Sequence, residues 1–174
     1  ILQVETDSQL IEASPFNDNK GFISYVLESF SHNSSNKNRL VFKHHPKDRG
    51  YTNYYIYIKE LAIRLGIEDK VFYIHDHSIP NLFRTNLCKG VILINSTVGF
   101  QALYHGIPLK ALGSSIYNIK GLCNITNLNN FWNKQEKPDI DLFKKFYTHI
   151  LENSQIMANF DAFFPFEKVF KFNE

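Results

Sequence analysis

The sequence predicts an α/β fold in which a parallel sheet is covered by helices on both faces. Four strand and helix units follow one another along the chain, and the strands are nearly continuous apolar runs, the pattern of strands buried on both faces. The 174 residues are 44% hydrophobic and include 16 Phe, enough for a hydrophobic core. These observations favour a Rossmann-like arrangement.

The first half of the chain supplies three strands and two helices in this prediction. A short strand over 2–4 precedes a polar segment, and residues 21–32 have apolar side chains at the spacing of an amphipathic helix. The run RLVFKH predicts a strand over 39–44, which ends at a loop marked by Pro46 and Gly50. A helix over 54–65 closes at Gly66, and a strand over 70–74 follows.

The second half continues the alternation. Ser78 caps a short predicted helix over 78–86, and the apolar run 91–94 is the next strand. A helix over 97–105 stops at Gly106 and a strand over 108–112 follows, whereas an Asn-rich loop separates these from a last helix near 139–151. The aromatic tail beyond it is expected to pack back across a neighbouring surface.

Composition narrows the class of partners and the compartment. The formal net charge of +2 is nearly balanced, so nucleic acid is not an expected partner. The two cysteines, Cys88 and Cys123, form no CxxC pair, which indicates a reducing compartment. No apolar run approaches the roughly 20 residues that span a bilayer and no signal peptide is evident, so we expect a cytoplasmic protein.

Polar residues follow every predicted strand. Because ligands of open α/β sheets bind outside the carboxyl ends of the strands, these residues predict one polar cleft at one edge of the sheet. They are Glu5 and Asp7, His44 and His45, His75 to His77, Ser96 and Thr97, and Gly113 to Ser115.

Ser96 and Thr97 stand between a strand and a helix, where two interpretations are open. Either hydroxyl can cap the first helical turn, or both can hold a phosphate together with the helix dipole. Gly99 would let a ligand approach the backbone. The absence of a Walker loop and of a GxGxxG motif disfavours a nucleoside triphosphate or a dinucleotide.

His45 and Pro46 are the second predicted anchor. A residue before proline is held extended, which would direct the His45 ring away from the strand end, and one of the pair His44 and His45 is expected to pack. Lys43, Lys47 and Arg49 suit a phosphate or carboxylate, although a solvated basic loop is the common alternative.

The triplet His75-Asp76-His77 suggests a metal site at first sight. A site needs at least a third ligand from elsewhere, and the sequence offers no HExxH motif or second cluster. We therefore expect no metal and interpret this segment as a loop that contacts a base or a ribose.

Four segments resemble the bacterial capsule polysaccharide biosynthesis family. They are LQVETDSQLIEASPF, LVFKHHPKDRG, INSTVGFQALYHGIPLKALGSSIYNIKGL and NSQIMANF, and they occur in the family's order over nearly the whole chain. The resemblance implies a retaining β-Kdo glycosyltransferase that builds the lipid-linked primer of a capsule, closer to the member that adds the first Kdo than to the polymerising member.

The resemblance also implies an architecture and a donor. It implies the C-terminal lobe of a GT-B glycosyltransferase, with a CMP-Kdo-binding lobe over 1–135, a helix and crossing tail over 136–174, and an N-terminal acceptor lobe expected to be absent. The family's HP motif corresponds to His45 and Pro46, and its Ser-Thr motif corresponds to Ser96 and Thr97. No cofactor or metal is implied besides the donor.

Asp7 is the candidate nucleophile that the resemblance implies, within a stretch similar to the family's Gln-x-x-x-Asp. A retaining transfer can proceed through a carboxylate adduct, with Glu5 as the competing carboxylate. His45 would stabilise the leaving phosphate or donate a proton. Gln3, Ser8 and Ser14 would shape the sugar pocket, and Lys43 or Arg49 would meet the Kdo carboxylate or the phosphate.

The resemblance implies a lipid-linked acceptor, phosphatidylglycerol or oligo-Kdo, and with it peripheral contact with the inner membrane and with capsule-assembly proteins. Two alternatives are kept. The first is another GT-B enzyme, a sialyltransferase-like transferase or a UDP-sugar epimerase, and the second is a nucleotide-binding interaction module that is inactive alone.

Overall fold

The computed structural model describes residues 1–4, 10, 12–48, 52–75, 77–85 and 87–154. Its helices within these ranges are α1 (Asn19–Asn33), α2 (Tyr55–Arg64), α3 (Ile79–Arg84), α4 (Val98–Tyr104), α5 (Leu128–Phe131) and α6 (Ile140–Ser154), with a 3-10 turn at Glu68–Lys70. Its strands are β1 (Leu40–Lys43), β2 (Val71–Ile74), β3 (Val91–Leu93) and β4 (Leu109–Ala111). The predicted alternation of helices and strands is confirmed from α1 to β4, whereas the Asn-rich segment predicted as a loop contains α5, which forms because Leu128 and Phe131 are buried in the core.

The strands form two parallel pairs. Leu40 pairs with Val71 at the start of the β1 and β2 ladder, and Val91 pairs with Leu109 at the start of the β3 and β4 ladder. The fold is therefore mixed α/β with small parallel sheets, whereas the sequence predicted one continuous sheet.

Residues 1–3 lie between the two pairs. The Ile1 nitrogen donates to the Ile92 carbonyl at 3.0 Å, and the Leu2 amide donates to the Lys43 carbonyl at 3.0 Å. The spatial order is β2, β1, residues 1–3, β3, β4, which is the order of strands in a doubly wound sheet.

The prediction of a strand over 2–4 is nevertheless wrong, because these residues do not form a strand. Buried Asn19 replaces a neighbouring strand at Gln3: its Oδ1 accepts from the Gln3 amide at 3.3 Å and its Nδ2 donates to the Gln3 carbonyl at 2.7 Å. The ladder from Ile1 and Leu2 therefore stops after two residues, because the next backbone groups bond to a side chain.

Helices pack on both faces of β3. Ile92 and Ile94 contact the apolar cluster that contains Phe22 of α1, whereas Leu93 belongs to a second cluster with Leu103 of α4. Successive side chains of a strand point to opposite faces, so these two clusters lie on opposite sides of the sheet. This agrees with the prediction of helices on both faces.

The predicted C-terminal segment, 136–174, is described only through α6. Phe143 of α6 is buried in the second cluster, so this helix covers the same face as α4. The aromatic tail lies outside the described residues. No helix in the described part of the chain is long and apolar enough to cross a membrane.

Candidate functional site

The carboxyl ends of the strands carry polar residues that hydrogen bonds join to one another. Beyond β3, the Asn95 side chain donates to the Ala13 carbonyl at 3.3 Å, and beyond β4 the Ser114 amide donates to the same carbonyl at 2.8 Å. The Gln3 Oε1 accepts from the Asn95 amide at 3.4 Å. These bonds bring the segment around Ala13 and the ends of β3 and β4 to one edge, the polar edge of the fold.

Lys43 joins the ends of β1 and β2. Its side chain is buried, and its ammonium donates to the carbonyl of His44 at 3.1 Å and, through a short contact, to the carbonyl of His75. These two acceptors satisfy two of the three ammonium protons. The structure thus gives Lys43 a structural role, and its predicted contact with a phosphate or carboxylate stays a prediction.

His44 is the histidine that packs. Its Nε2 lies 2.7 Å from the Asp48 carbonyl and its Nδ1 lies 2.6 Å from the Tyr73 hydroxyl. Its ring stacks on that of His75, with centroids 4.5 Å apart. Burial raises the pKa of Tyr73, so this hydroxyl keeps its proton and can donate it to His44.

His45 and Pro46 begin the loop that follows β1. His45 is half-buried and Pro46 is exposed, while the His45 Nδ1 accepts from the Lys47 amide at 3.1 Å and the His45 carbonyl accepts from the Asp48 amide at 3.0 Å. Residues 45–48 therefore form a tight turn that these two bonds close. Pro46 suits it because the turn leaves this position without need of an N–H donor.

Ser96 and Thr97 precede α4, as predicted. Ser96 Oγ accepts from the Val98 amide at 3.3 Å, whereas Thr97 is exposed, has helical backbone angles and makes no side-chain capping bond. The capping interpretation therefore applies to Ser96 as a local turn and not to Thr97. The proposed phosphate contact of both residues stays a prediction.

Gly99 faces a tyrosine. A Cβ built on Gly99 would lie 2.5 Å from Cζ and 2.8 Å from the hydroxyl of Tyr117, whose ring is buried. The Tyr117 hydroxyl donates to the Ser96 carbonyl at 2.6 Å, and burial raises the pKa of this tyrosine. Packing against Tyr117 thus explains the glycine without a ligand, and the predicted donor contact at Gly99 stays untested.

Several predicted residues lie outside the described residues: Glu5, Asp7, Ser8, Arg49 and Asp76. Of the predicted sugar-pocket residues that are described, Gln3 is buried against Asn19 and Asn95, and the Ser14 hydroxyl accepts from the Phe16 amide at 2.9 Å. Within the described ranges, no group of three or more His, Cys, Asp or Glu could hold a metal ion.

A cavity of about 560 Å³ lies along β1. Residues that precede or begin β1 and β3, such as Arg39 and Gly90, line it together with apolar side chains of α1. Its lining also includes Lys43 and Ile74, the last residues of β1 and β2. Among the predicted site residues within the described ranges, only Lys43 borders it, and the polar edge remains the candidate site.

Sequence reasoning missed Asn19, Tyr73 and Tyr117, the residues that hold this edge in place. Asp48 was missed as well, although its position four residues after His44 is a signal of a closed turn. The partners of Tyr73 and Tyr117 lie 29 and 21 residues away along the chain, so no local pattern points to them.

Comparison with known proteins finds a family and relatives whose names all refer to capsule polysaccharides. The family described as "Capsule polysaccharide biosynthesis protein" matches residues 1–161. The capsule polysaccharide export protein KpsS of Escherichia coli is 42% identical over 158 residues, which are 91% of this chain and 40% of that protein. The capsule polysaccharide modification protein LipB of Neisseria meningitidis serogroup B is 36% identical over 170 residues, 96% of this chain and 40% of that protein. The chain thus spans about 40% of these relatives. No solved structure matches it.

Proposed function

Because this chain belongs to the capsule polysaccharide biosynthesis family, we propose that it forms the donor-binding part of a glycosyltransferase that moves Kdo from CMP-Kdo to a lipid-linked acceptor. The observation that carries the proposal is that the family's two motifs, His45-Pro46 and Ser96-Thr97, follow parallel strands of an α/β fold at their carboxyl ends. Nucleotide ligands of such folds bind at that edge.

The polar groups that follow these strands suit a sugar nucleotide. In this proposal the His45 ring meets the phosphate of CMP and stabilises it as it leaves, and the Ser96 and Thr97 hydroxyls bind phosphate oxygens. Arg49 neutralises the phosphate or the Kdo carboxylate. The lobe would be the C-terminal half of a GT-B enzyme, and no metal would be required.

The chemical step needs a nucleophile. In a double displacement, the Asp7 carboxylate attacks the anomeric carbon as the bond to the CMP phosphate breaks, and the acceptor hydroxyl then displaces the carboxylate and loses its proton. The two displacements together retain the anomeric configuration. We keep Glu5 as the competing carboxylate.

The acceptor and the cellular location are proposed for the enzyme as a whole. A lipid-linked acceptor, phosphatidylglycerol or oligo-Kdo, would bring a cytoplasmic enzyme to the inner membrane as a peripheral protein, next to other capsule-assembly proteins. The chain spans about 40% of its relatives, and we therefore keep a second candidate, a nucleotide-binding interaction module that is inactive alone.

Calorimetric titration tests the donor. We expect CMP to bind this chain and UDP not to bind, and we expect His45→Ala and Ser96→Ala each to abolish the CMP heat. His32→Ala, a change at an exposed histidine of α1, should leave binding unchanged. Equal binding of UDP would favour a UDP-sugar enzyme and contradict the CMP-Kdo proposal.

A transfer assay separates the two candidates. Mass spectrometry of the chain after incubation with CMP-Kdo should reveal a Kdo adduct that Asp7→Asn abolishes. CMP binding without an adduct or transfer would favour the module that is inactive alone, and transfer by this chain alone would exclude that module.

A further inference from the structure

His44 has a hydrogen-bond partner on each ring nitrogen. A carbonyl oxygen has no proton, so the contact of 2.7 Å with the Asp48 carbonyl requires a proton on His44 Nε2. In the neutral ring Nδ1 is then an acceptor, and the Tyr73 hydroxyl at 2.6 Å is its donor. The ring thus connects β2 with the loop that follows β1.

The carbonyl that His44 binds closes the turn around His45. Residue 48, which provides this carbonyl, also donates its amide to the His45 carbonyl at 3.0 Å. Inside the turn the Lys47 amide donates to His45 Nδ1 at 3.1 Å. Because Nδ1 accepts, the neutral His45 ring carries its proton on Nε2.

Two further contacts keep His44 where it is. Its ring stacks on His75 at 4.5 Å, and the Lys43 ammonium donates to the backbone carbonyls of both histidines. His44 is 4% exposed, so these bonds do not compete with bulk water. A buried, fully bonded imidazole holds one orientation.

We propose that His44 and Tyr73 are positioning residues that fix His45 as a hydrogen-bond donor. They hold the turn 45–48 closed, the turn directs the Lys47 amide at His45 Nδ1, and the neutral ring therefore carries its proton on Nε2. Any group that bonds to this N–H must be an acceptor, such as a phosphate oxygen. This last step rests on the proposed function, whereas the fixed tautomer of His45 does not.

Nitrogen NMR of the histidine rings tests the tautomer directly. In the unchanged chain we expect His45 to hold its proton on Nε2. In His44→Gln, the side-chain amide can still donate to the Asp48 carbonyl, so His45 should keep this tautomer. In His44→Leu the donor is lost, and we expect His45 to show a mixture of both tautomers.

Exchange of the Lys47 amide gives a second readout. Loss of one hydrogen bond in the chain of contacts should raise its exchange rate roughly fivefold in His44→Leu and in Tyr73→Phe. Tyr25→Phe, a change at an exposed tyrosine of α1, should leave the rate unchanged. If His44→Leu does not fold, the exchange rate of the Lys47 amide in Tyr73→Phe tests the positioning role.

The outcomes distinguish the positioning role of His44 and Tyr73 from the proposal that the chain binds CMP-Kdo. A folded His44→Leu protein with an unchanged His45 tautomer, or an unchanged Lys47 rate in Tyr73→Phe, would overturn the positioning role. If the unchanged chain shows the expected tautomer but does not bind CMP, the donor proposal fails and the positioning role stands. A merely space-filling His44 would not change the ring protonation of its neighbour.

Discussion

Substitution of Gly99 by alanine tests whether α4 begins against a buried tyrosine. The added Cβ would lie 2.5 Å from Cζ and 2.9 Å from Cε1 of Tyr117, closer than carbon atoms pack. Tyr117 is 1% exposed and its ring packs edge-on against Phe100, with centroids 5.4 Å apart. The ring must therefore move, and its bond to the Ser96 carbonyl must stretch or break.

The expected cost is the sum of three contributions. Overpacking of a core costs about 1–3 kcal/mol, and loss of the tyrosine hydrogen bond costs about 1 kcal/mol. The better helix propensity of alanine offsets at most about 1 kcal/mol. Gly99→Ala should therefore lower the free energy of unfolding by about 2 kcal/mol and the Tm by about 4–8 °C.

Urea unfolding followed by circular dichroism measures this cost. Gly21→Ala in α1 is the matched control, because its new Cβ would meet no atom closer than 3.4 Å and should leave stability equal or slightly higher. A Tyr117→Leu background should reduce the cost of Gly99→Ala below about 0.5 kcal/mol, because the obstructing ring is gone. An equal cost in both backgrounds, or none in either, would refute the packing argument.

Three further changes probe the groups around the polar edge. Lys43→Met should lower the free energy of unfolding by about 1–3 kcal/mol because two carbonyls lose their donor, whereas Lys47→Met at an exposed site should change it by less than about 0.5 kcal/mol; urea titration of both variants distinguishes them. Asn19→Ala should cost about 2 kcal/mol and speed hydrogen exchange at the Gln3 amide, and a Gln3 amide that exchanges at the original rate would contradict this anchoring role. The pKa of Tyr117 is raised by burial above its ordinary 10.0, so the folded state keeps a proton that the unfolded state releases, and the stability from this group is lost as the pH rises above that value. Unfolding at about pH 9 and about pH 11 should therefore show a smaller alkaline loss in Tyr117→Phe than in the unchanged chain, and identical losses would count against the buried phenol.

Local sequence patterns were enough to predict most of the helices. Apolar spacing and glycine stops located α1, α2 and α4, because these depend on residues within one or two turns. The strand expected at 2–4 did not form as such, because Asn19 takes the backbone bonds of Gln3 from a distance of 16 residues. A periodicity over three residues contains no information about such a competitor.

His44 and His45 show what the sequence determines and what only the tertiary structure determines. The sequence alone determined that His44 and His45 follow a strand, that one of them packs, and that the chain matches a capsule biosynthesis family over most of its length. Only the tertiary structure decided that His44 is the buried one, since Tyr73 and the Asp48 carbonyl reach its two nitrogens through space. Likewise the sequence marked Gly99 as a place of close approach, and the fold supplied the approaching group, Tyr117. Local backbone preferences act between neighbours in the chain, whereas the partners of buried polar groups come from distant segments that only the folded chain brings together.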